Sequence, residues 1–219
     1  MPIHSNQIDI HPDLANIVKK HIKFEYKKPI QSFNQIVFDD ILNRIQSDGR
    51  PLIFDSCCGV GESTIMLARM NPNNFVVGID KSISRMRRNL YYMERENEDM
   101  DNYLLVRANV IDIWRLAVKS GIKLSGHYLL YPNPWPKKKH IQRRWHGHPV
   151  FPFLLKLGGR LIVRGNWKLY LDEFAFAVNV VTGKKVFVEE YLPKYLISPF
   201  ERKYQQRNET LYELSFPSD

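Results

Sequence analysis

The chain has 219 residues, 44% of them hydrophobic, with 32 lysines and arginines set against 23 aspartates and glutamates. That length supports one α/β domain with its own core, and that hydrophobic content excludes a disordered polyelectrolyte. The net charge of +9 points to a polyanionic partner, nucleic acid first.

No apolar run approaches the roughly 20 residues of a membrane span, and the N-terminal "MPIHSNQIDIHPD" lacks the apolar stretch of a secretory leader. A cytoplasmic protein with no membrane partner is expected. Cys57 and Cys58, the only cysteines, are sequence neighbours, too close for an ordinary disulfide and too few for a structural zinc site. No metal is expected. A monomer is favoured, although no motif fixes the oligomeric state.

In chain order, a short helix is expected near residues 12–21. A longer one follows in "SFNQIVFDDILNRIQSDG", with Ser32 as its cap, Phe33, Ile36, Val37, Ile41, Leu42 and Ile45 at helical spacing, and Gly49 as its end. Residues 1–48 are thus expected to form a helical extension packed on a single domain that completes the 219 residues. Beyond them, "PLIFD", "FVVGID", "YLLVR", "HYLLYP" and "RLIVRG" read as strands. Between these, "ESTIMLARM", "SISRMRRNLYYMERENE", "IDIWRLAVKSG" and "LYLDEFAFAVNVV" read as helices. Such alternation predicts α/β architecture with a doubly wound, mostly parallel sheet. At the C-terminus "KKVFVEEYL" and "TLYELSF" show no convincing helix between them and read as an antiparallel pair closing the sheet edge.

The first strand runs into "FDSCCGVGEST", a glycine turn that opens a helix, as nucleotide-type cofactor loops do. A dinucleotide loop would place a third glycine near Thr64, and Asp55 would repel its pyrophosphate. A cofactor bearing an ammonium group suits Asp55 instead, and S-adenosylmethionine carries one. Asp80 ends the second strand, where a carboxylate accepts ribose hydroxyls, with Gly59 and Gly61 lying between the two acids. Asn109, after the third strand, is placed to bond an adenine edge.

The fourth strand delivers "YPNPWPKKKHIQRRWHGHP". Pro132, Pro134 and Pro136 restrict the backbone around Asn133 and Trp135, at the edge where a substrate would arrive. From Lys137 to Arg144 five of eight residues are cationic, namely Lys137, Lys138, Lys139, Arg143 and Arg144. Such a run suits phosphates, with Trp145, His146 and His148 offering aromatic faces to bases.

Taken together these motifs resemble the tRNA (guanine-N7)-methyltransferase family, from about Gln35 to Leu214. "FDSCCGVGESTIMLA" is similar to its cofactor loop, "VVGIDKSISRM" to its ribose-binding strand end and "YPNPWPKKKHIQRR" to its Pro-Asp-Pro-Trp turn with basic residues. "SPFERKYQQRNETLYEL" is similar to its substrate motif of Thr, two residues and Glu. The resemblance implies a class I methyltransferase fold, S-adenosylmethionine as cofactor and tRNA as partner. Asp55 and Asp80 would bind cofactor, and Asn109 would stand on the adenine side. Asn133 would occupy the catalytic position beside the cofactor, and Lys137, Asn166, Ser198 and Glu201 substrate-contact positions, with Lys139 to Arg144 as the RNA arm.

The chain departs from that pattern at several points. Asn109, Asn133 and Asn166 stand where the family usually has Asp, Gly165 and Ser198 where it has Thr, and Cys57 where it has Gly. Guanine N7 attacks through a bare lone pair and needs no general base. A carboxylate nearby would accept the guanine N1 and N2 hydrogens and offset the charge growing on the ring, and Asn133 offers only its single oxygen. Two other readings follow: methylation of an RNA exocyclic amine held by the Asn-Pro-Trp turn, or a tRNA-binding paralogue with weak turnover.

Overall fold

The computed structural model describes residue 3, residues 5–85 and residues 100–218. A seven-stranded sheet runs through it in the order β3-β2-β1-β4-β5-β7-β6. The strands are β1 (Leu52–Ser56), β2 (Phe75–Asp80), β3 (Tyr103–Arg107), β4 (Gly126–Leu130), β5 (Gly159–Gly165), β6 (Val188–Glu190) and β7 (Tyr212–Ser218). The first five are mutually parallel, and β7 pairs antiparallel with both β5 and β6.

The helices are α1 (Leu14–Lys23), α2 (Ser32–Asp48), α3 (Glu62–Met70), α4 (Val110–Lys119), α5 (Phe151–Lys156), α6 (Lys168–Thr182) and α7 (Pro199–Gln205). Between β4 and α5 lie two 3₁₀ turns, Lys138–Arg143 and Trp145–Gly147. Most of the helix expected from "SISRMRRNLYYMERENE" lies outside the described residues.

Alternation along each strand divides the core into two layers. Phe54, Phe75, Val77, Ile79 and Leu129 face a large cluster built with α1, α2, α4, α5 and α6. Ile53, Val76 and Leu130 face a smaller one with Leu67 and Ala68 of α3, and with Ile197 and Leu211 beside α7. Burial on both faces explains why these strands read as unbroken apolar runs.

Two details differ from the sequence expectation. Helix α2 begins at Ser32, but Gln31 holds the N-cap position and no side chain caps the helix. A seven-residue helix, α7, stands between the last two strands where none was expected. Its first turn is Pro199, Phe200 and Glu201, with Ser198 accepting from the Glu201 amide at 3.2 Å. A proline at the first helical position behind a serine cap is a start signal, but so short a helix leaves too few apolar positions for a periodicity.

Gly78 decides how closely α3 lies on β2. A Cβ there would sit 2.2 Å from Thr64 Oγ1 and 2.6 Å from a Leu105 methyl. The close approach that a glycine on the helix would otherwise permit is thus supplied from the strand. Gly78→Ala should cost about 1–3 kcal/mol, because the added methyl forces side chains out of position. Urea denaturation of the variant measures it.

Candidate active site

The carboxyl ends of β1 and β2 bring Asp55 and Asp80 to one edge of the sheet, 1% and 3% exposed. Between β1 and α3 the chain turns through Cys57, Gly59 and Gly61 at φ of 64°, 64° and 80°. At Gly59 a Cβ would meet nothing within 4 Å, so the turn faces open space. The Cys57 and Cys58 amides both donate to the Ile79 carbonyl, at 2.8 and 3.2 Å, which ties the loop to the end of β2. Burial pushes the Cys57 thiol up to about 12, so it is not a nucleophile at neutral pH.

Asp55 Oδ2 accepts from Ser63 Oγ at 2.6 Å and Thr64 Oγ1 at 2.7 Å. Its Oδ1 is buried and accepts from no group among the described residues. Burial raises this carboxyl to about 6, the two hydroxyl bonds oppose the rise, and the nearby Asp80 charge adds to it. An unsatisfied buried acceptor with so high a pKa calls for a cationic donor. Asp80 accepts from the Gly59 amide at 3.1 Å and the Ser82 amide at 2.8 Å. Those bonds fix its side chain and leave further lone pairs for hydroxyl donors.

Asn109 caps α4, its Oδ1 accepting from the Ile111 amide at 3.1 Å. Its own amide donates to Asn34 Oδ1 at 3.1 Å, and Asn34 donates to Asp112 at 2.7 Å. The start of α2 is thereby fastened to the same sheet edge.

The turn after β4 holds Asn133, which is exposed, with its Oδ1 accepting from the Trp135 amide at 3.2 Å. Tyr131 and Trp135 flank it at φ of 49° and 45°. Left-handed backbone at bulky residues costs on the order of 1–3 kcal/mol each and persists only where surroundings enforce it. On one side the Tyr131 ring packs with Phe200 and Tyr204 at 6.1 and 5.5 Å between centroids. On the other, Arg144 donates to the Trp135 carbonyl through Nη2 at 3.1 Å and Nε at 3.3 Å.

Arg144 is the main correction to the sequence reading. It is fully buried and does not belong to the solvent-facing arm. Its guanidinium is paired with Glu173 of α6, also fully buried, whose carboxylate further accepts from His146 Nε2 at 3.0 Å, Gln7 Nε2 at 2.6 Å and the His11 amide at 2.9 Å. Burial alone would raise Glu173, but the His146 bond, the charges around it and the His11 amide hold it at about 2. His146 is itself buried and its pKa lowered by burial, so Arg144 supplies the standing positive charge.

Lys137, Lys138, Lys139 and Arg143 do face solvent. The aromatic faces expected behind them are largely used by the fold. His146 is buried, Trp145 packs on Trp114 at 4.9 Å, and His148 meets Tyr26 at 5.5 Å. The Arg143 guanidinium lies 4.8 Å from the Trp135 ring centroid.

The C-terminal candidates are likewise engaged. Ser198 is buried as the α7 cap, and fully buried Glu201 accepts from the Ile197 amide at 2.8 Å and from Arg164 at 3.0 Å. Neither side chain presents a free group to solvent; both hold the start of α7. Asn166, half-buried after β5, donates to Glu209 at 2.7 Å. Arg202 of α7 clamps Glu62, the first residue of α3, which joins this corner to the glycine turn. Sequence reasoning did not select Glu173, Arg164 or Arg202. The adjacent acids Asp172 and Glu173 within the otherwise apolar "LYLDEFAFAVNVV" were the available signal for Glu173, since an acid on the buried side of such a helix needs a cationic partner.

A family model described as "Putative methyltransferase" matches residues 49–214. The chain belongs to this methyltransferase family. It is similar to the tRNA (guanine-N(7)-)-methyltransferase of Buchnera aphidicola subsp. Baizongia pistaciae, 25% identical over 187 residues, or 80% of this chain and 75% of that one. The enzyme of the same name from Francisella philomiragia is 24% identical over 77% of this chain and 73% of its own length. Among solved structures, 16S rRNA methyltransferase KamB matches with a TM-score of 0.60 at 16% identity, covering 83% of this chain and 94% of that one. An antibiotic-related methyltransferase matches at 0.59 and 13% identity, covering 82% and 94%. These structural matches establish a class I methyltransferase fold, in agreement with the strand order.

Two outcomes test this methyltransferase's site. Glu173→Ala leaves a buried guanidinium unpaired and should cost about 3–5 kcal/mol in urea denaturation. At Asp55 the folded-state pKa is raised, so its stabilising contribution is complete below about pH 4 and lost as pH rises through about 6. Asp55→Asn should therefore melt above the parent protein at pH 8, by the equivalent of about 3 kcal/mol, with the gap closing near pH 4. Thermal melts across that range check it.

Proposed function

We propose that this protein transfers a methyl group from S-adenosylmethionine to guanine N7 of a tRNA, in the cytoplasm, as one methyltransferase domain with residues 1–48 as its N-terminal extension. The single observation that carries the cofactor reading is the buried, unpartnered Asp55 Oδ1 beside the open glycine turn. It fits the ammonium of the cofactor's amino-acid part. Asp80, steadied by the Gly59 and Ser82 amides, would hold the ribose hydroxyls, and Asn109 stands at the end of β3 for the adenine side. The cofactor, when bound, supplies an electrophilic methyl group. The nucleophile is the N7 lone pair, so the chain has to orient the base and exclude water and needs no proton acceptor.

Orientation falls to the clamped turn 131–136, with Asn133 exposed at its tip near the carboxyl edge. Lys137, Lys138, Lys139 and Arg143 would bind RNA phosphates, and Asn166 with Glu209 would border the base from the β5 side. The names of the curated relatives support tRNA as the substrate. No specific contact favours the amine reading: Asn133 Oδ1 accepts from its own turn, and the Trp135 ring carries Arg143.

The purified protein, incubated with S-adenosylmethionine and unmethylated tRNA, should yield 7-methylguanosine after nuclease digestion and mass spectrometry. Another methylated nucleoside, or tRNA binding without product, overturns the reading. Asn133→Asp should turn over as fast or faster, because a carboxylate strengthens the bond to the base by about 1.5–3 kcal/mol at most. Asp80→Ala should abolish cofactor binding by calorimetry.

A further inference from the structure

The basic arm is not the only dense run of cations. Residues 19–28, "KKHIKFEYKK", hold five lysines and one acid, and Lys19, Lys20, Lys23, Lys27 and Lys28 are all exposed. Lys20 and Lys23 lie in the last turn of α1, where cations favour the helix dipole, and that alone would account for them. It does not account for Lys27 and Lys28, which lie beyond the helix.

The path of this segment is fixed at both ends. His21 Nε2 meets the Gly147 carbonyl at 3.1 Å, and the Tyr26 ring packs on His148 at 5.5 Å, so α1 and the loop after it abut the end of the arm. Lys28 lies close enough to His148 to help lower its pKa, after burial and the His21 charge. A few residues on, the Gln31 amide donates to Asp112 Oδ2 at 3.3 Å, and Asn34 bonds both Asp112 and the Asn109 amide. The loop therefore crosses from the arm to the carboxyl end of β3, the sheet edge that also carries Asp55 and Asp80. Phe24, 59% exposed, and Ile22, 49% exposed, stand among its lysines. The Lys23 ammonium lies 5.5 Å from the Phe24 ring centroid.

We propose that the end of α1 and the following loop, Lys19–Lys28, form a second phosphate-binding patch for structured RNA, continuous with the arm and reaching towards the carboxyl edge of the sheet. This rests on the RNA-substrate reading above and extends it to the N-terminal residues, which lie outside the span matched by the family. Two cationic strips meeting near Trp145–His148 would hold the backbone on both sides of a base delivered to Asn133. An exposed aromatic between lysines gives a face for an unpaired base.

The test is equilibrium binding of an unmodified tRNA transcript, without cofactor, across a series of salt concentrations. K23A/K27A/K28A should bind about tenfold more weakly or worse at ~0.1 M salt. The slope of log K against log salt should fall in magnitude by roughly 2, since each phosphate contact contributes about 0.7–0.9. The charge-matched control is K119A/K123A/K156A, whose lysines are exposed at the opposite sheet edge, where Lys123 Nζ meets the Lys156 carbonyl at 3.1 Å. It should keep the parental slope. Unchanged affinity and slope in the first variant, or an equal loss in the control, would overturn the patch. Because no methyl transfer is read, an error about which atom is methylated does not alter this result.

Discussion

The Glu173 carboxylate holds together parts of the chain that have no other reason to meet. It accepts from Arg144 and His146 behind the arm, and from Gln7 and the His11 amide of the N-terminal segment, all against α6. Isolated, a buried carboxylate of this kind would be strongly unfavourable. With four donors and a permanent cation it becomes a fixed point. The consequence runs through Arg144 to the Trp135 carbonyl, and so to a turn whose left-handed residues would relax if unsupported. Ser5 adds a bond from the same N-terminal segment to the Pro136 carbonyl at 2.6 Å. The geometry of Asn133 is thus enforced from residues 5–11 and 144–173, far from it in sequence.

The cofactor edge follows a different logic. There Asp55 keeps one oxygen without a partner among the described residues, while Asp80 draws on backbone amides and on Arg85 at 3.5 Å. A core built for stability alone would not leave Asp55 in that state. The apolar layers on both faces of the sheet raise that cost, and a bound cation would remove it. Glu173 is matched by donors from its own chain, whereas Asp55 leaves one oxygen without a donor among the described residues.

Most of the fold was legible because parallel strands buried on both faces have a plain signature, and "LIFD", "FVVGID" and "LIVRG" carry it. The glycine turn and its two acids were legible for the same reason: their chemistry and their place at strand ends coincide. Charge runs carry less information. "KKKHIQRR" gives no local sign that its last arginine turns inward, since that depends on Glu173, a partner 29 residues away. Ser198 and Glu201 were visible as a motif but not as a cap and a buried ion pair. Helix α7 was too short to show a period, and its anchorage by Arg164 and Arg202 is long-range.

The three asparagines that stand where the family resemblance implies aspartate are not equivalent once their contacts are considered. Asn109 caps a helix and Asn133 closes a turn, and in both the side-chain oxygen does the local work, which aspartate performs equally well. Asn166 differs, because it uses its amide nitrogen, donating to Glu209 at 2.7 Å. An aspartate at 166 would set two carboxylates against each other at that distance. A negative charge does stand at this corner, on Glu209, with the asparagine as its donor. Arg207 stands 4.0 Å from that same glutamate, which ties the segment after α7 to this corner. At the β4 corner Asn133 has no carboxylate among its described contacts; its oxygen accepts from the Trp135 amide, and on the proposed function the difference in charge would fall on the base.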